Sequence, residues 1–488
     1  MFENYFKQFR NNTIGIDQYF ETPFGKKRIV YADWTASGRL YRPIEIKLAE
    51  QIGPFVGNTH TETTVTGSGM TQAYHEALSI IKKHVNARPS DVIISSNSGM
   101  TGVVNKFQRI LGLRLHEKFR DFVTLSPEDK PVVFVTHMEH HSNQTSWIET
   151  IAELVIIPSN EDGLVDLNGL KTLLKEFENR KTKIAAVTSY SNVTGIATPY
   201  HEIAEIMHNA GGLCFVDFAA AAPYIDIDMH PEVQTRKLDA VYFSPHKFLG
   251  GPGSSGILIF DSALYKNKVP DCPGGGTVEW TNPWGGHKYI DDIERREDGG
   301  TPAFLPTIKV ALCIKLKEQM GVMNILERER EISAIIWPKL EKIQGLHILA
   351  GHIRERLGIF SFYIDGLHYN LAVKLLNDRY GIQMRGGCSC AGTYGHYLLH
   401  MDVNTSSEIT DRISHGDLSC KPGWLRFSVH PTMTDDEINF ILDAVEELAQ
   451  NFMEWKKDYK YNSETNEFHY ISENPDLLKN MVGKWMTL

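Results

Sequence analysis

The stretch that decides the fold spans residues 184–217 and reads IAAVTSYSNVTGIATPYHEIAEIMHNAGGLCFVD. It begins and ends with short apolar runs, Ile184–Ser189 and Leu213–Asp217, of the kind found in strands that are covered on both faces. Between these runs, Pro199 opens a segment with apolar residues at helical spacing, and Gly211–Gly212 ends it. A strand, a helix and a second strand in this order predict a parallel α/β unit.

Three further runs of the same kind extend this unit into a larger predicted sheet: Val92–Ser96, Val132–Thr136 and Leu238–Phe243. We therefore predict a mostly parallel sheet, and such sheets bind ligands beyond the carboxyl ends of their strands. Polar residues follow all five runs, in Asn97–Thr101, His137–Asn143, Tyr190–Asn192, Asp217 and Ser244–Lys247. The sequence thus predicts a binding site at one edge of the sheet.

Later in the chain the pattern predicts fewer strands and longer helices. The predicted helices are Val310–Lys317, Met323–Gln344 and Asp435–Asn451, and the predicted strands are Ile359–Ile364 and Trp424–Val429. The polar stretch Gly392–Pro422 is predicted to be a long loop rather than a regular element.

Composition and charge exclude several classes of protein. A chain of 488 residues with ordinary apolar content and a net charge of −10 predicts a globular protein that does not bind nucleic acid. We find no secretory signal, and no stretch approaches the roughly 18 apolar residues that a membrane helix needs. The six cysteines are sparse, which predicts reduced thiols and a cytoplasmic location without membrane association.

Lys247 and Asp217 are the residues that indicate a cofactor. Lys247 lies in Ser-Pro-His-Lys-Phe-Leu-Gly-Gly-Pro-Gly, directly after a predicted strand, where an amine can form a Schiff base beside a glycine-rich backbone. Asp217 ends the preceding strand, and a carboxylate there can keep a pyridine nitrogen protonated. Alone, the lysine would more often mark a turn, and the aspartate would be a helix cap about as often as a cofactor residue. Together they predict a pyridoxal 5′-phosphate site.

Other strand ends supply residues that suit the same cofactor. His140 can stack on a pyridine ring, and Asn192 can hydrogen-bond the ring hydroxyl. Gly99, Met100 and Thr101 follow a strand and open a predicted helix, where backbone amides and a hydroxyl suit a phosphate.

From about Tyr31 to Leu448, the sequence resembles the class V aminotransferase family, in particular its cysteine desulfurase and selenocysteine lyase branch. The resemblance implies an α/β protein with the type I, aspartate aminotransferase-like fold of pyridoxal phosphate enzymes. It implies a Schiff base on Lys247, a pyridinium partner in Asp217, a stacking and catalytic role for His140, and Asn192 on the phenolic oxygen. Thr101, Ser244 and His246 would contact the phosphate.

The resemblance also implies how subunits and substrate are arranged. Thr301, in Glu-Asp-Gly-Gly-Thr-Pro, belongs to a stretch that reaches the phosphate of a neighbouring subunit, so a homodimer is expected. Arg426 would bind the substrate carboxylate, for which a guanidinium fork is well suited, although a surface arginine at a strand end is the alternative. Thr35 and His60 are expected at the substrate.

The stretch Arg385-Gly-Gly-Cys-Ser-Cys-Ala-Gly indicates the chemistry, because Cys390 occupies the place of the desulfurase cysteine. The amino acid, cysteine or selenocysteine, would replace Lys247 in the Schiff base as an external aldimine, and Lys247 would remove its α-proton. Cys390 would then take the sulfur as a persulfide, and alanine would leave. A sulfur-acceptor protein is a further expected partner, and either Cys388 or Cys390 could carry the persulfide.

Three alternatives stay open. The chain has Ala220 where desulfurases carry glutamine and Thr61 after His60 where they often carry arginine, so a class V aminotransferase, epimerase or lyase acting on another amino acid is the first. A catalytically silent binding module is the second. A zinc site made of Cys388, Cys390, His396 and His400 is the third, but Cys-x-Cys spacing suits one tetrahedral ion poorly, so no metal is predicted.

The predicted organisation has four parts. An N-terminal segment (residues 1–30) precedes a large pyridoxal phosphate-binding domain (31–309), a small C-terminal domain (310–454) and a tail without an assigned role (455–488).

Overall fold

The computed structural model describes residues 2–59, 62–96, 98–474 and 476–488. They form two compact units. The terminal unit consists of Met1–Asn11, Gly15–Thr35 and Glu327–Leu488, and the large unit consists of Asn12–Ile14 and Ala36–Leu326. The N-terminal and C-terminal residues thus share a unit, and the four domain limits drawn from the sequence stay predictions.

The strands are β1 (Tyr19–Thr22), β2 (Gly25–Arg28), β3 (Val30–Tyr31), β4 (Val92–Ser96), β5 (Val132–Thr136), β6 (Glu153–Ile157), β7 (Lys183–Thr188), β8 (Leu213–Asp217), β9 (Ala240–Phe243), β10 (Gly256–Phe260), β11 (Val278–Thr281), β12 (His287–Tyr289), β13 (Leu346–Ile348), β14 (Ile359–Ile364), β15 (Ile382–Gln383), β16 (Arg385–Gly387), β17 (Trp424–Ser428), β18 (Tyr459–Asn462) and β19 (Glu467–Tyr470).

The α-helices are α1 (Phe2–Arg10), α2 (Arg42–Ile46), α3 (Val65–His84), α4 (Gly99–Ile110), α5 (His141–Ile148), α6 (Leu167–Glu176), α7 (Tyr200–Asn209), α8 (Ile293–Glu297), α9 (Phe304–Met320), α10 (Val322–Leu340), α11 (Tyr369–Tyr380), α12 (Gly392–Leu398), α13 (Val403–Ser414), α14 (Asp435–Trp455) and α15 (Asp476–Trp485). A π-helical segment, Lys47–Ile52, continues α2, and short 3₁₀ turns include Pro245–Lys247.

The large unit is built on a seven-stranded sheet with the order β4-β10-β9-β8-β7-β5-β6. Strands β5 to β9 are parallel to one another, and β10 is antiparallel to both of its neighbours, β4 and β9. Strand β4 therefore runs in the same direction as β9. The carboxyl ends of β4, β5, β7, β8 and β9 lie at one edge, so the predicted, mostly parallel sheet is confirmed.

Buried aromatic residues attach the helices to this sheet. Phe107 of α4 contacts Phe215 of β8 and Phe260 of β10, with ring centroids 5.0 and 4.9 Å apart. All three side chains are fully buried. Burial of each ring contributes about 1.5–3 kcal/mol through removal of its apolar surface from water. These contacts fix α4 against the sheet.

The terminal unit contains a four-stranded antiparallel sheet with the order β13-β14-β17-β16. Strand β15 pairs with β3 in parallel, which joins the N-terminal residues to this unit. Glu437 strengthens the junction, because it completes a capping box with Thr434 at the start of α14 and also pairs with Arg10 and Arg28.

One prediction was wrong in this unit. Gly392–Pro422 is not a loop but contains α12 and α13, and Asp402 caps α13 by accepting a hydrogen bond from the Thr405 amide at 2.8 Å. No residue of α13 is buried, and Val403, Ile409 and Ile413 are its only apolar residues, so the segment reads as a polar stretch in the sequence. The tail after Trp455 forms the hairpin β18–β19 and helix α15.

No helix within the described residues is long and apolar enough to cross a membrane.

Candidate active site

The sheet edge brings together residues at the carboxyl ends of five strands of the large unit, β4, β5, β7, β8 and β9. Asp217, the last residue of β8, lies opposite Thr188 of β7 and Tyr242 of β9. The amide and the hydroxyl of Ser189 both donate to the Asp217 carbonyl, at 2.8 and 2.9 Å. The loops that carry Asn192 and Ser244 therefore begin on either side of Asp217, and Asn192 itself is buried.

Asp217 is a buried carboxylate with a nearby cation. Burial raises the pKa of Asp217 to about 6, against the effects of a 2.7 Å hydrogen bond from the Ala219 amide and of the positive charge of Lys247. Because a buried carboxylate is stable only with donors or cations around it, this position suits a protonated ring nitrogen.

Lys247 ends the 3₁₀ turn that follows β9 and is half-buried. Burial, and secondly the charge of Lys247, lower the pKa of His246 to about 4, so this imidazole is neutral at pH 7. The Gly38 amide donates to the His246 carbonyl at 2.9 Å. A Cβ at Gly38 would lie only 1.9 Å from the Phe248 carbonyl oxygen, so only glycine allows this contact beside Lys247.

The start of α4 lies against the same turn. The Met100 amide donates to the Ser244 hydroxyl at 2.9 Å, and the Thr101 hydroxyl lies 2.7 Å from that of Ser142. A Cβ at Gly256 would lie 2.1 Å from the carbonyl carbon of Gly99, so β10 and the start of α4 touch through their backbones. The predicted phosphate residues of α4 and of the β9 turn are thus brought together.

A cavity of about 560 Å³ opens at this point. Its lining residues are Ser37, Gly99, His246, Pro252, Gly253, Ser254 and Pro306. The Ser254 hydroxyl oxygen is buried and hydrogen-bonds to no described protein group. A helix start, a neutral imidazole and an unsatisfied hydroxyl at this cavity suit a phosphate group. Sequence reasoning missed Ser37 and Ser254, although Ser254 directly follows the Gly-rich stretch after Lys247.

His140 lies at the start of α5, after β5, and is half-buried. Its Nδ1 atom accepts a hydrogen bond from the Ser142 amide at 3.0 Å, which fixes the ring and leaves the proton of a neutral imidazole on Nε2.

Glu139, which sequence reasoning also missed, directly precedes His140 and is fully buried. Its Oε1 atom accepts from the Thr136 hydroxyl at 2.6 Å and from the Thr188 amide at 2.9 Å, and its Oε2 atom accepts from Asn143 at 2.8 Å. Burial raises the pKa of Glu139 to about 7, although these donors all favour the ionised form. The carboxylate therefore joins the ends of β5 and β7 to α5.

Replacing Glu139 with glutamine tests this network. The amide nitrogen of glutamine is itself a hydrogen-bond donor. It would therefore face one of the groups that now donate to the Glu139 carboxylate, and that group would lose its acceptor. We expect the free energy of unfolding to fall by about 1–3 kcal/mol, and the melting temperature by several degrees. Glu176→Gln, at an exposed site on α6, is the control and should melt like the wild type. Equal melting of both variants would contradict the assigned network.

Arg426 is buried in the terminal unit and has a carboxylate partner within that unit. Its Nη2 atom donates to Asp33 Oδ1 at 2.7 Å, and the Nε atom of Arg385 donates to Asp33 Oδ2 at 3.1 Å. Thr35 is buried beside them, and its amide donates to the Ser428 hydroxyl at 3.0 Å. Asp33 thus holds two guanidinium groups, one of them buried. Because a guanidinium fork suits carboxylates in general, Arg426 is chemically suited to bind a carboxylate ligand.

The segment after β16 forms a tight turn, in which the Ala391 amide donates to the Cys388 carbonyl at 3.0 Å. Both central residues, Ser389 and Cys390, have positive φ values, 52° and 56°. Type I′ turns have this geometry and normally carry glycine or asparagine there. The Cys390 thiol is exposed and Cys388 is half-buried. A strained turn that presents a thiol is typical of functional sites.

The remaining predicted residues are placed as follows. Thr301 is exposed beyond α8, and His60 lies outside the described residues. The ring nitrogens of His396 lie 2.8 Å from the Gly392 carbonyl and 2.8 Å from the Ser406 hydroxyl, so both already have partners. Across the described ranges, no three histidine, cysteine or acidic side chains are grouped as metal ligands would be.

A sequence model described as aminotransferase class-V matches residues 30–441. The chain belongs to the class V aminotransferase family. Enzymes of this family depend on pyridoxal phosphate, and the present chain is an enzyme of this family. The resemblance seen in the sequence is therefore confirmed.

Two similar proteins are named as probable cysteine desulfurases. A probable cysteine desulfurase of Halalkalibacterium halodurans is 28% identical over 369 residues, which cover 74% of this chain and 84% of that protein. A probable cysteine desulfurase of Staphylococcus aureus is 28% identical over 370 residues, with 75% and 84% covered.

Solved structures show the same fold. The apo cysteine desulfurase of Thermococcus onnurineus matches with a TM-score of 0.71 and 22% identity, over 87% of this chain and 95% of that one. The cysteine desulfurase CsdA of Escherichia coli matches with a TM-score of 0.69 and 22% identity, over 91% and 98%. The predicted fold class, the type I fold of pyridoxal phosphate enzymes, is confirmed.

Proposed function

We propose that this class V enzyme is a cysteine desulfurase, with selenocysteine as a second substrate, and that Cys390 accepts the sulfur or selenium. The observation that carries the proposal is the exposed Cys390 thiol in a strained turn directly after β16. The names of the similar proteins support the same activity.

We assign the cofactor to residues of the large unit. Lys247 would bind pyridoxal 5′-phosphate covalently, and Asp217 would balance the charge of the ring nitrogen. His140 would stack on the ring and Asn192 would bind its hydroxyl. The phosphate would bind at Gly99, Met100, Thr101, Ser244 and His246, with the buried Ser254 hydroxyl as a further donor. When bound, the cofactor withdraws electrons from the amino-acid carbon that it holds.

We assign substrate binding and proton transfer to arginine and lysine side chains. Arg426 would exchange Asp33 for the substrate carboxylate, and Arg385 would keep Asp33 paired meanwhile. The Lys247 Nζ atom would take the proton from the substrate Cα. Thr35 and His60 are proposed to border the substrate.

Cys390 completes the reaction. Its thiolate would attack the substrate sulfur, so that the sulfur–carbon bond breaks and a sulfur–sulfur bond forms on Cys390. After protonation the remaining product is alanine. The persulfide then passes to an acceptor thiol, for which we propose a partner protein.

We also propose that the protein forms a homodimer. A homodimer would allow Thr301, exposed beyond α8, to reach the phosphate of the second subunit. A cytoplasmic location stays a prediction from the sparse cysteines.

A class V aminotransferase, epimerase or lyase acting on another amino acid is the second candidate. Ala220 favours it, because desulfurases carry a glutamine at that place, and Ala220 is buried here.

A substrate panel separates these candidates. The purified protein is loaded with pyridoxal phosphate, and its visible spectrum, alanine and sulfide are measured with L-cysteine, L-selenocysteine, L-aspartate and L-serine. We expect a spectral shift and alanine formation with cysteine, and alanine with selenocysteine. A shift with another amino acid, and no alanine from cysteine, would contradict the desulfurase assignment and favour the second candidate.

Arg426→Gln should weaken substrate binding without loss of the cofactor. Removing a buried cation that pairs with a ligand carboxylate costs about 2–5 kcal/mol, so KM for cysteine should rise about 30-fold or more. Asp33 keeps Arg385 as a partner in this variant, which limits the effect on stability. The control is Arg412→Gln, an exposed arginine paired with Asp417 in the same unit. An unchanged KM in Arg426→Gln would refute the assigned role.

A further inference from the structure

The turn that presents Cys390 holds a second thiol. Cys388 and Cys390 are its first and third residues, and the hydrogen bond from Ala391 to the Cys388 carbonyl closes it. Neither thiol is fully buried, since Cys390 is exposed and Cys388 is half-buried. One peptide segment therefore offers two cysteines where the proposed reaction uses one.

Chain geometry keeps these two cysteines close to each other. Two residues along a chain span at most about 7 Å between Cα atoms, and a turn is shorter than an extended chain. Disulfides need a Cα separation of about 4.4–6.8 Å. A disulfide closed across such a short turn is strained, and strained disulfides are the readily reduced ones that serve in catalysis.

The other four cysteines are placed less favourably. Cys214 and Cys313 are buried, and burial raises the pKa of each thiol. Cys272 is exposed but belongs to the large unit. Cys420 is half-buried in the terminal unit, and its sulfur lies 3.9 Å from the Asp417 carbonyl. Cys388 is the thiol that the chain itself ties to Cys390.

We propose that Cys388 is a resolving thiol, which attacks the persulfide on Cys390 and releases the sulfur as sulfide. This inference rests on the proposed function of Cys390 and adds a second catalytic cysteine to it. The enzyme would then deliver free sulfide, and not only protein-bound sulfur, from its first turnover.

The reaction of Cys388 with the persulfide involves three sulfur atoms. The Cys388 thiolate attacks the Sγ atom of Cys390, a bond forms between the two cysteine sulfurs, and the bond to the outer sulfur breaks. The outer sulfur leaves as hydrosulfide and takes the electron pair. Two thiols are oxidised by two electrons, and the transferred sulfur is reduced by two. A dithiol reductant, small or protein-borne, then restores both thiols for the next turnover.

A single turnover without added thiols tests the proposal. The cofactor-loaded enzyme receives half an equivalent of L-cysteine per subunit, and free thiols are then blocked with an alkylating agent. Trypsin cleavage after Arg385 and Arg412 yields the peptide Gly386–Arg412, whose only cysteines are Cys388 and Cys390. Alanine and sulfide are measured in a portion of the same reaction taken before the alkylating agent is added, so failure of the desulfurase function itself appears as absence of alanine.

We expect one sulfide for each alanine, and a fraction of Gly386–Arg412 that carries no alkyl group and is lighter by two hydrogen atoms. Alanine without sulfide, with the peptide heavier by one sulfur atom, would overturn the proposal while leaving the desulfurase function intact. A disulfide between Gly386–Arg412 and the separate peptide that contains Cys420 would also overturn it.

Two variants, each with one cysteine replaced, test whether Cys388 itself releases the sulfide. Cys388→Ser should lose the sulfide and keep the extra sulfur on Cys390, a readout that a merely structural role would not give. Cys420→Ser is the matched control and should release sulfide as the wild type does. Full sulfide release by Cys388→Ser without added thiol would overturn the proposal.

Discussion

Replacing Lys247 with alanine should abolish the visible Schiff-base absorbance of the cofactor-loaded protein and reduce alanine formation from cysteine by at least about 10²–10⁴-fold. The reason is that one amine is assigned both the covalent bond to the cofactor and the transfer of the α-proton. The neighbouring Asp217 and the phosphate cavity remain in the variant, so non-covalent cofactor binding should persist.

The control for this prediction is Lys171→Ala, an exposed lysine on α6 of the same unit. Both variants are loaded with pyridoxal phosphate, freed of excess cofactor and compared by absorbance and by alanine assay. If Lys247→Ala kept the absorbance band and its turnover, another lysine would have to hold the cofactor, and the assignment would fail.

The second large effect concerns Cys390. Cys390→Ala should lower alanine formation from cysteine by about a thousand-fold or more, a loss of the size expected when an enzyme is deprived of its nucleophile. The residues assigned to the cofactor lie in the large unit and are unaltered. The spectral shift on adding cysteine should therefore remain, and this separates loss of chemistry from loss of binding.

Cys272→Ala is the matched variant, because Cys272 is also an exposed thiol but belongs to the large unit. It should form alanine at the wild-type rate. Full activity in Cys390→Ala would exclude this thiol as sulfur acceptor and favour a class V reaction with structural cysteines.

Five of the seven strands of the central sheet were predicted from their apolar runs, whereas β6 and β10 were not predicted. Val132–Thr136 is buried at every position, so the strand appears in the sequence as an uninterrupted apolar run. Helix α13 could not be predicted in this way, because none of its residues is buried. Solvent-exposed helices leave a weaker pattern than buried strands.

Some residues of the candidate site could be predicted from the sequence and others could not. Lys247, Asp217 and His140 could be chosen because each lies at the end of a strand or within four residues after it, and parallel strands bring their carboxyl ends together. Asp33 could not, because its partner Arg426 lies 393 residues further along the chain. Glu139 could not be predicted for a different reason. Its role depends on hydrogen-bond donors from β5, β7 and α5, which come together only in the folded chain.

The most direct test is to locate the cofactor on the chain. The protein is loaded with pyridoxal phosphate, reduced with borohydride and digested with trypsin. We predict a phosphopyridoxyl group on Lys247, seen as the peptide Leu238–Lys266 left uncut at that lysine. The group on a different lysine, or on none, would contradict the account.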